Sequence, residues 1–353
     1  MKQYSISKSK LILLLAAVLC LLPGCGKPKE LTNYEQGVAY LEQTSFGDAL
    51  QCFKNAESDE GENLQLVYRG EGIALLGLGK YDDAINAFCQ ALGQSNGMVK
   101  KIDYDINFYI AVAQYKSGRF EDTVDTYTAI LAVDKKNADA HYLRGKVYLD
   151  LGKVNDAKND FDEATKLDKN NSKLYINIYK DLTEHGYEGD AKGYINSGVA
   201  SVSRPSDYEL GIFNFYLGDY TQARNYFEES SETKKSAEGI IYLGKTYEAL
   251  NDASYARSLY EEFTANNKTG AIVYNELGLL KAAEKDYAGA LASFEAGLQS
   301  EDVSCRQTLM FNRIVANEFL GNFTAAKSQM EEYITLYPDD KIAEREHIFI
   351  RTR

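Results

Sequence analysis

The residue types that most often carry out chemistry are sparse in this chain and poorly spaced for it. There are three histidines, His141, His185 and His347, and none has a second histidine or a cysteine at a metal-ligand spacing. Neither an H-E-x-x-H nor a C-x-x-C motif is present. We therefore predict no catalytic residue, no metal site and no cofactor, and we expect that the protein is not an enzyme.

One segment begins like a calcium-binding loop. Asp103, Asp105 and Asn107 alternate in the way that oxygen ligands do at the start of such a loop. However, Phe108 stands where the loop needs glycine, and Gln114 stands where it needs the closing glutamate. We therefore do not predict a calcium site here.

The composition and net charge of the chain argue against nucleic acids as partners. The 353 residues carry a formal net charge of −13, with 44% hydrophobic and 26% charged residues, which is typical of a globular chain. An acidic surface repels phosphate backbones, so we do not expect nucleic-acid binding.

The N-terminal segment indicates export. Residues 1–24 contain three lysines and no acid, and the apolar run from Leu11 to Leu22 is too short to span a bilayer as a helix. The motif Leu22-Pro23-Gly24-Cys25 resembles the lipobox of bacterial lipoproteins. This resemblance implies a signal peptide at 1–24, a thioether-linked diacylglycerol on Cys25, and a short tether at 25–29. The protein would then be lipid-anchored on the extracytoplasmic side of the cell membrane; secretion as a soluble protein is the alternative.

The remaining cysteines, Cys52, Cys89 and Cys305, are an odd number spread over a long chain. They favour buried free thiols. A Cys52–Cys89 disulfide would require two helices that present these residues face to face.

Internal repeats organise the chain after residue 30. A small residue, an alanine twelve positions later and an aromatic residue four positions after that recur every 32 to 39 residues. Clear copies begin at Gly37, Gly72, Gly145, Gly211, Gly244 and Gly278, and weaker copies at Ala111, Tyr179 and Ile314. Glycines between the two halves of a repeat predict turns with positive φ.

This period and pattern resemble the tetratricopeptide repeat (TPR), a helix–turn–helix unit of 34 residues. The resemblance covers about residues 30–340 and implies an all-α fold, an α-solenoid of about nine repeats that form a right-handed superhelix. The array would occupy residues 30–338. Residues 339–353 would form a C-terminal capping helix, or else a frayed tail.

Members of this family commonly bind ligands in a groove lined by the first helix of each repeat. Carrying the lining positions over to this chain implies the following partner-binding residues: Phe108, Val112, Tyr142, Lys146, Asn177, Lys180, Tyr208, Ile212, Ile241 and Lys245. The carboxylate clamp of chaperone-binding members is not predicted, because Tyr142 and Lys146 occupy two of its places.

Three of these residues form a possible basic track. Lys146 and Lys180 lie 34 residues apart, and Lys245 has the same place in a later repeat. With tyrosine and isoleucine beside them, they would suit an extended acidic or aromatic peptide. The alternative is that they are ordinary surface lysines without a ligand.

The interpretation we favour is therefore a membrane-anchored TPR lipoprotein that acts as a protein-interaction scaffold in the cell envelope and binds a protein or peptide segment in its groove. The alternative is a solute- or glycan-binding lipoprotein associated with a transporter, since tyrosine rings also stack on sugars. Ligand-induced thermal stabilisation would distinguish the second from the first.

Overall fold

The structure is a computed structural model that describes residues 31–95, 97–267, 269–302 and 305–352. The expected signal peptide, Cys25 and the tether lie outside these residues. Within the described part of the chain every regular element is helical, with nineteen α-helices and one short 3₁₀ turn at Thr233–Lys235. The prediction of an all-α solenoid built from helix–turn–helix repeats is confirmed.

The chain forms two compact units, one ending at Arg119 and the other comprising Phe120–Arg353. The boundary falls inside the third predicted repeat. The helices of the first unit are α1 (Asn33–Glu42), α2 (Phe46–Ala56), α3 (Leu64–Gly77), α4 (Tyr81–Gly93) and α5 (Lys101–Lys116).

Within its described residues, the second unit contains the second helix of the third repeat, six complete helix pairs and a final single helix. Its helices are α6 (Phe120–Val133), α7 (Ala138–Asp150), α8 (Val154–Leu167), α9 (Ser172–Glu184), α10 (Glu188–Ser201), α11 (Asp207–Leu217), α12 (Tyr220–Glu229), α13 (Ala237–Ala249), α14 (Ala253–Asn266), α15 (Ala271–Ala283), α16 (Tyr287–Leu298), α17 (Arg306–Phe319), α18 (Phe323–Leu336) and α19 (Lys341–Arg351). Odd-numbered helices are the first, and even-numbered helices the second, of a repeat.

Short polar residues begin many of these helices. Asn137, Ser236 and Asp340, for example, precede α7, α13 and α19, and each side chain accepts a hydrogen bond from a free amide of the first turn. The turn inside each repeat requires the left-handed conformation. Gly152 has φ 71° there, as the sequence predicted, and Asn251 adopts the same conformation with φ 63° where glycine is missing.

The recurring glycine lets a second-helix ring lie directly on the first helix. A Cβ atom at Gly145 would come within 2.7 Å of the Phe161 ring, and one at Gly278 within 2.3 Å of the Phe294 ring. In both cases the contact lies within one repeat. The two helix axes can approach because neither glycine has a side chain.

Tyrosine hydroxyls connect the helices through carboxylates. The hydroxyl of Tyr194 donates to Asp162 at 2.7 Å, and that of Tyr333 donates to Asp340 at 2.6 Å. Burial and the adjacent carboxylate raise the pKa of both phenols, that of Tyr333 to about 12. These hydrogen bonds join α10 to α8 and α18 to the start of α19.

The last helix, α19, buries Ala343 and Ile350 against the cluster formed by α17 and α18. Two other isoleucines of this helix, Ile342 and Ile348, are exposed. Among the helices of the described residues, none is both long enough and apolar enough to cross a membrane.

Candidate functional site

The candidate site in the second unit is a surface formed by first helices. Neighbouring members of the series α7, α9, α11, α13, α15 and α17 contact one another. We call this the first-helix surface and define it by these six helices. Because first helices lie against one another, a side chain on this surface either packs on the neighbouring repeat or points to solvent.

The predicted partner-binding residues do not all lie in the same unit. Phe108 and Val112 are on α5 in the first unit, and both are half-buried. The other eight lie on α7, α9, α11 and α13 of the second unit.

Two of those eight are core residues, which differs from the expectation that they line an open groove. Tyr142 and Ile212 are 9% and 5% exposed. The Tyr142 hydroxyl donates to the buried carboxylate of Asp181 at 2.6 Å, and Ile212 belongs to the largest apolar cluster of the unit. Close contact between successive first helices buries them.

The three lysines lie beside carboxylates of following repeats. Lys146 Nζ is 2.6 Å from Asp181 Oδ1, and Lys245 Nζ is 2.7 Å from Glu276 Oε2. Each of these two carboxylates compensates the positive charge of its lysine. The first-helix surface is therefore less basic at these positions than the spacing of the lysines suggested. The role of the lysines in binding a partner stays a prediction.

Lys180 lies farther from its carboxylate than the other two lysines do, and it also contacts an aromatic ring. Its Nζ lies 3.8 Å from Glu238 Oε1 and 5.7 Å above the centre of the Tyr242 ring. A cation at this distance from a ring face is attracted by the ring quadrupole. Two side chains of α13 thus contact this lysine of α9 on the first-helix surface.

An aromatic cluster surrounds this point. The hydroxyls of Tyr216 and Tyr242 lie 2.7 Å apart, and the Tyr179 and Tyr216 ring centres are separated by 4.3 Å. Burial raises the pKa of Tyr216 to about 12 and raises that of Tyr242 further. The rings pack on one another, with Tyr208 and Asn177 half-buried nearby on α11 and α9.

Further along the surface, α15 presents exposed apolar side chains that the sequence analysis did not single out. Ile272 and Leu279 are 38% and 43% exposed. They lie seven residues apart, with Glu276 between them, on the same side of the helix. Together with the half-buried Ile241 of α13 they give this part of the surface an apolar character. The seven-residue spacing on a first helix could have identified them.

Two of the three histidines, His141 and His185, make contacts within the fold. His141 Nδ1 lies 2.8 Å from Asp160, which also receives two hydrogen bonds from Arg144. His185 lies 3.2 Å from Asp150. A search of the described residues finds no group of three His, Cys, Asp or Glu side chains that could hold a metal ion.

The carboxylates of the calcium-like segment are likewise occupied. Asp103 accepts from the amide of Lys100 at the start of α5 and from the side chain of Gln65, both at 2.7 Å. Asp105 forms an ion pair with Arg69. Both aspartates are within a helix rather than in a loop.

Two short letter patterns escaped the sequence analysis. Gly239–Thr246 spells G-x-x-x-x-G-K-T, the phosphate-binding loop motif, but these residues lie inside α13, where helical hydrogen bonding occupies the backbone amides. Gly93–Gly97 spells G-x-S-x-G, but it follows helix α4 instead of a strand, and Ser95 donates to Asp103 at 3.4 Å. Neither pattern has the strand-to-helix setting that its chemistry needs.

The three cysteines within the described residues are free. Cys89 is exposed and Cys52 and Cys305 are partly buried, so the expectation of buried thiols was wrong for Cys89. Burial raises the pKa of the Cys305 thiol to about 11. This makes Cys305 a poor nucleophile at neutral pH.

Comparison with known proteins agrees with this architecture. Tetratricopeptide repeat models match residues 34–99, 75–146 and 138–171. A TPR repeat-containing protein of Methanocaldococcus jannaschii is 24% identical over 263 residues, which is 73% of this chain and 42% of the relative. The chain therefore spans less than half the length of that relative.

Solved structures of similar chains are also helical repeat proteins. A tetratricopeptide repeat protein from Parabacteroides merdae is 15% identical, with 80% of this chain and 97% of that chain covered and a TM-score of 0.48. The C-terminal part of a TPR repeat-containing protein from Cytophaga hutchinsonii is 13% identical, with coverage of 76% and 95% and a TM-score of 0.45. From its repeat pattern and the sequence models that match it, the chain is a tetratricopeptide repeat protein.

Proposed function

We propose that this protein is a protein-interaction scaffold and that the first-helix surface of the second unit binds a segment of its partner. The observation that carries the proposal is the exposed pair Ile272 and Leu279, which lies beside the Lys245–Glu276 ion pair. Apolar side chains surrounded by polar ones are typical of binding surfaces.

The lysine contacts refine the chemistry of the expected partner. Since Lys146 and Lys245 are paired with carboxylates, a purely acidic peptide would gain little from them. We therefore propose that apolar side chains of the partner contact Ile241, Ile272 and Leu279, and that the ion pairs orient polar groups of the segment. In this proposal the scaffold has no chemistry of its own.

The test compares two leucines that differ in position. Leu279 lies on the first helix α15, whereas Leu336 lies on the second helix α18, and both are exposed. Partners would be captured from the native envelope by cross-linking and mass spectrometry with Leu279→Asp, Leu336→Asp and the unchanged chain. We expect Leu279→Asp to lose the partner and Leu336→Asp to keep it; equal capture by both variants would contradict the proposed surface.

We also propose that Cys25 carries the lipid that anchors the scaffold outside the cytoplasm. The support is the sequence Leu22-Pro23-Gly24-Cys25 after an apolar run. Metabolic labelling with an alkyne fatty acid should mark the protein and place it in the membrane fraction, and Cys25→Ala should abolish both. A Cys25→Ala protein that still takes up label would refute the lipid site. The first-helix surface is tested independently of this anchor.

A further inference from the structure

A cleft of about 330 Å³ opens between the second helices α14 and α16, with residues of the first helix α15 at its base. This volume is within the range of sites that hold small molecules. Tyr274, Leu277 and Lys281 are the residues that α15 contributes, and their spacing places them on one face of that helix. Ile272 and Leu279 lie on the opposite face of α15. The cleft is therefore separate from the first-helix surface.

Alanine stands at the side of this cleft where most other repeats of the second unit have glutamate. The position is six residues after the recurring alanine, and in four other repeats of the unit it holds Glu163, Glu229, Glu262 and Glu332. In the repeat formed by α15 and α16 it holds Ala296, which lines the cleft. Because an alanine side chain ends at its Cβ atom, Ala296 leaves open a space that a glutamate would enter.

Lys281 is a second departure from the pattern in the same repeat. The corresponding residues of the two neighbouring repeats are Tyr247 and Asn317. Tyr247 donates a hydrogen bond to Glu228 of the preceding second helix, and Asn317 donates one to Gln329 of its own second helix at 3.1 Å. This position of a first helix is thus used for close polar contacts with second helices.

The contacts of Lys281 itself are longer. Its Nζ lies 3.4 Å from Glu261 Oε1 of α14 and 3.5 Å from Ser293 Oγ of α16, beyond the usual length of a charge-assisted hydrogen bond. The side chain of this lysine is only 17% exposed. An ammonium group with three donors therefore lies at the cleft, largely withdrawn from solvent, without a close acceptor in either contact. A carboxylate in the cleft would supply one.

Glu261 restricts the charge of such a ligand. It and Lys281 are the charged residues among those that line the cleft, so the lining carries one charge of each sign. Glu261 would repel a phosphate or a dicarboxylate, and Lys281 would repel a simple cation. A free amino acid carries a carboxylate and an ammonium group on the same carbon atom. It can therefore meet both charges of the cleft at once.

The remaining lining is suited to an aliphatic side chain. Leu277 is 4% exposed at the base of the cleft, and Ala265 and Ala292 line it together with Ala296. We propose that this cleft binds a free amino acid with an aliphatic side chain, its carboxylate on Lys281, its ammonium group on Glu261 and its side chain on the apolar lining. This site goes beyond the proposed function and is independent of the partner surface.

The probe for this site is L-leucine, titrated into the full-length protein by isothermal titration calorimetry. Two analogues each lack one charge: 4-methylpentanoate has no ammonium group, and 3-methylbutylamine has no carboxylate. We expect leucine to bind at least about tenfold more tightly than either analogue, because only leucine pairs with both charged residues of the cleft.

Variants of the two charged residues should separate the two contacts. Lys281→Met should weaken leucine about tenfold or more and leave the amine unaffected. Glu261→Gln should weaken leucine to a similar extent, while 4-methylpentanoate binds at least as tightly as before because Lys281 has lost its competing carboxylate. The matched control is Lys166→Met, which removes a 72% exposed lysine of α8 and should leave leucine binding within about twofold.

Two exposed alanines on second helices test the cavity itself. Ala296→Phe should fill the cleft and abolish leucine binding, whereas Ala200→Phe on α10 should leave it within about twofold. Since both alanines are exposed, both variants should melt at the temperature of the unchanged protein.

Three results would overturn the proposal. The first is an absence of binding by leucine at millimolar concentration. The second is equal binding of leucine to the Lys281→Met and Lys166→Met proteins. The third is binding of N-acetyl-leucine as tightly as leucine, because it would show that the site takes the end of a peptide and not a free amino acid. Partner capture by the Leu279→Asp protein tests the opposite face of α15, so the two proposals can fail separately.

Discussion

Replacement of glycine by alanine should have opposite effects at two places in the second unit. Gly193 lies in the middle of α10, is exposed, and a Cβ atom there would meet no other atom within 4 Å. Gly193→Ala should therefore stabilise the protein by about 1 kcal/mol, since glycine costs roughly that much in a helix interior. Gly145 in α7 is the contrasting site.

At Gly145 the added methyl group would lie 2.7 Å from the Phe161 ring and 3.1 Å from the backbone oxygen of Ala157. The ring could shift, but the backbone of α8 would have to move as well. Overpacking of this kind costs about 1 to 3 kcal/mol, which exceeds the gain of about 1 kcal/mol in helix propensity. We expect Gly145→Ala to lower the free energy of unfolding by about 1 kcal/mol.

The chain itself suggests a compensating change. Where a large residue takes the place of the recurring glycine, as Ile314 does, the residue sixteen positions later is the flexible Met330 instead of an aromatic ring. The double variant Gly145→Ala/Phe161→Met should therefore lose less stability than the sum of its single changes, by about 1 kcal/mol.

Urea denaturation followed by far-UV circular dichroism measures all four proteins of this cycle alongside Gly193→Ala. Each kcal/mol corresponds to a shift of roughly 2 to 4 °C in Tm for a unit of this size. If Gly145→Ala were as stabilising as Gly193→Ala, the close approach of α7 and α8 would not constrain this position, and the packing argument would be refuted.

Two further predictions concern carboxyl groups, one buried and one half-buried. Asp181→Asn should destabilise the protein by about 3 kcal/mol in the same denaturation assay, because Lys146 and Tyr142 lose the carboxylate between them; a loss below about 1 kcal/mol would mean that the pair contributes little. Burial, and then the adjacent Glu346, raises the pKa of Glu318 to about 7. The folded state therefore holds this proton more tightly than the unfolded state, and stability falls as the pH rises from about 4.5 towards 7, by on the order of 1 kcal/mol after solvent screening. Glu318→Gln should flatten the dependence of Tm on pH in this range, and an unchanged slope would refute the assignment.

The local structure of this protein could be predicted from its sequence because the determining residues are close together in the chain. The glycine at 152 forces a left-handed turn, and Ala157 and Phe161 lie on the same face of the helix that follows it. Each of these features depends on neighbours within one turn or one repeat. The order and boundaries of the helices follow from them.

The character of the first-helix surface could not be predicted in the same way. Whether Lys146 is free or paired depends on Asp181, 35 residues away, and therefore on how one repeat is rotated against the next. The same rotation buries Tyr142 and Ile212, which the family pattern had placed in an open groove. Single-repeat patterns contain no information about that angle, because it results from packing between repeats.

The hydrogen bonds between tyrosine hydroxyls and carboxylates set an alkaline limit for this protein. The folded pKa of Tyr194 and Tyr333 is raised above the ordinary value near 10, so their contribution to stability is complete below about pH 10 and is lost as the pH rises through the folded values. Deprotonation would place the phenolate of Tyr194 beside the carboxylate of Asp162, and that of Tyr333 beside the carboxylate of Asp340. In each pair two negative charges would then be in contact. In strong base the repeats should therefore come apart at these tyrosines, with the tyrosinate absorbance and the loss of helix appearing together.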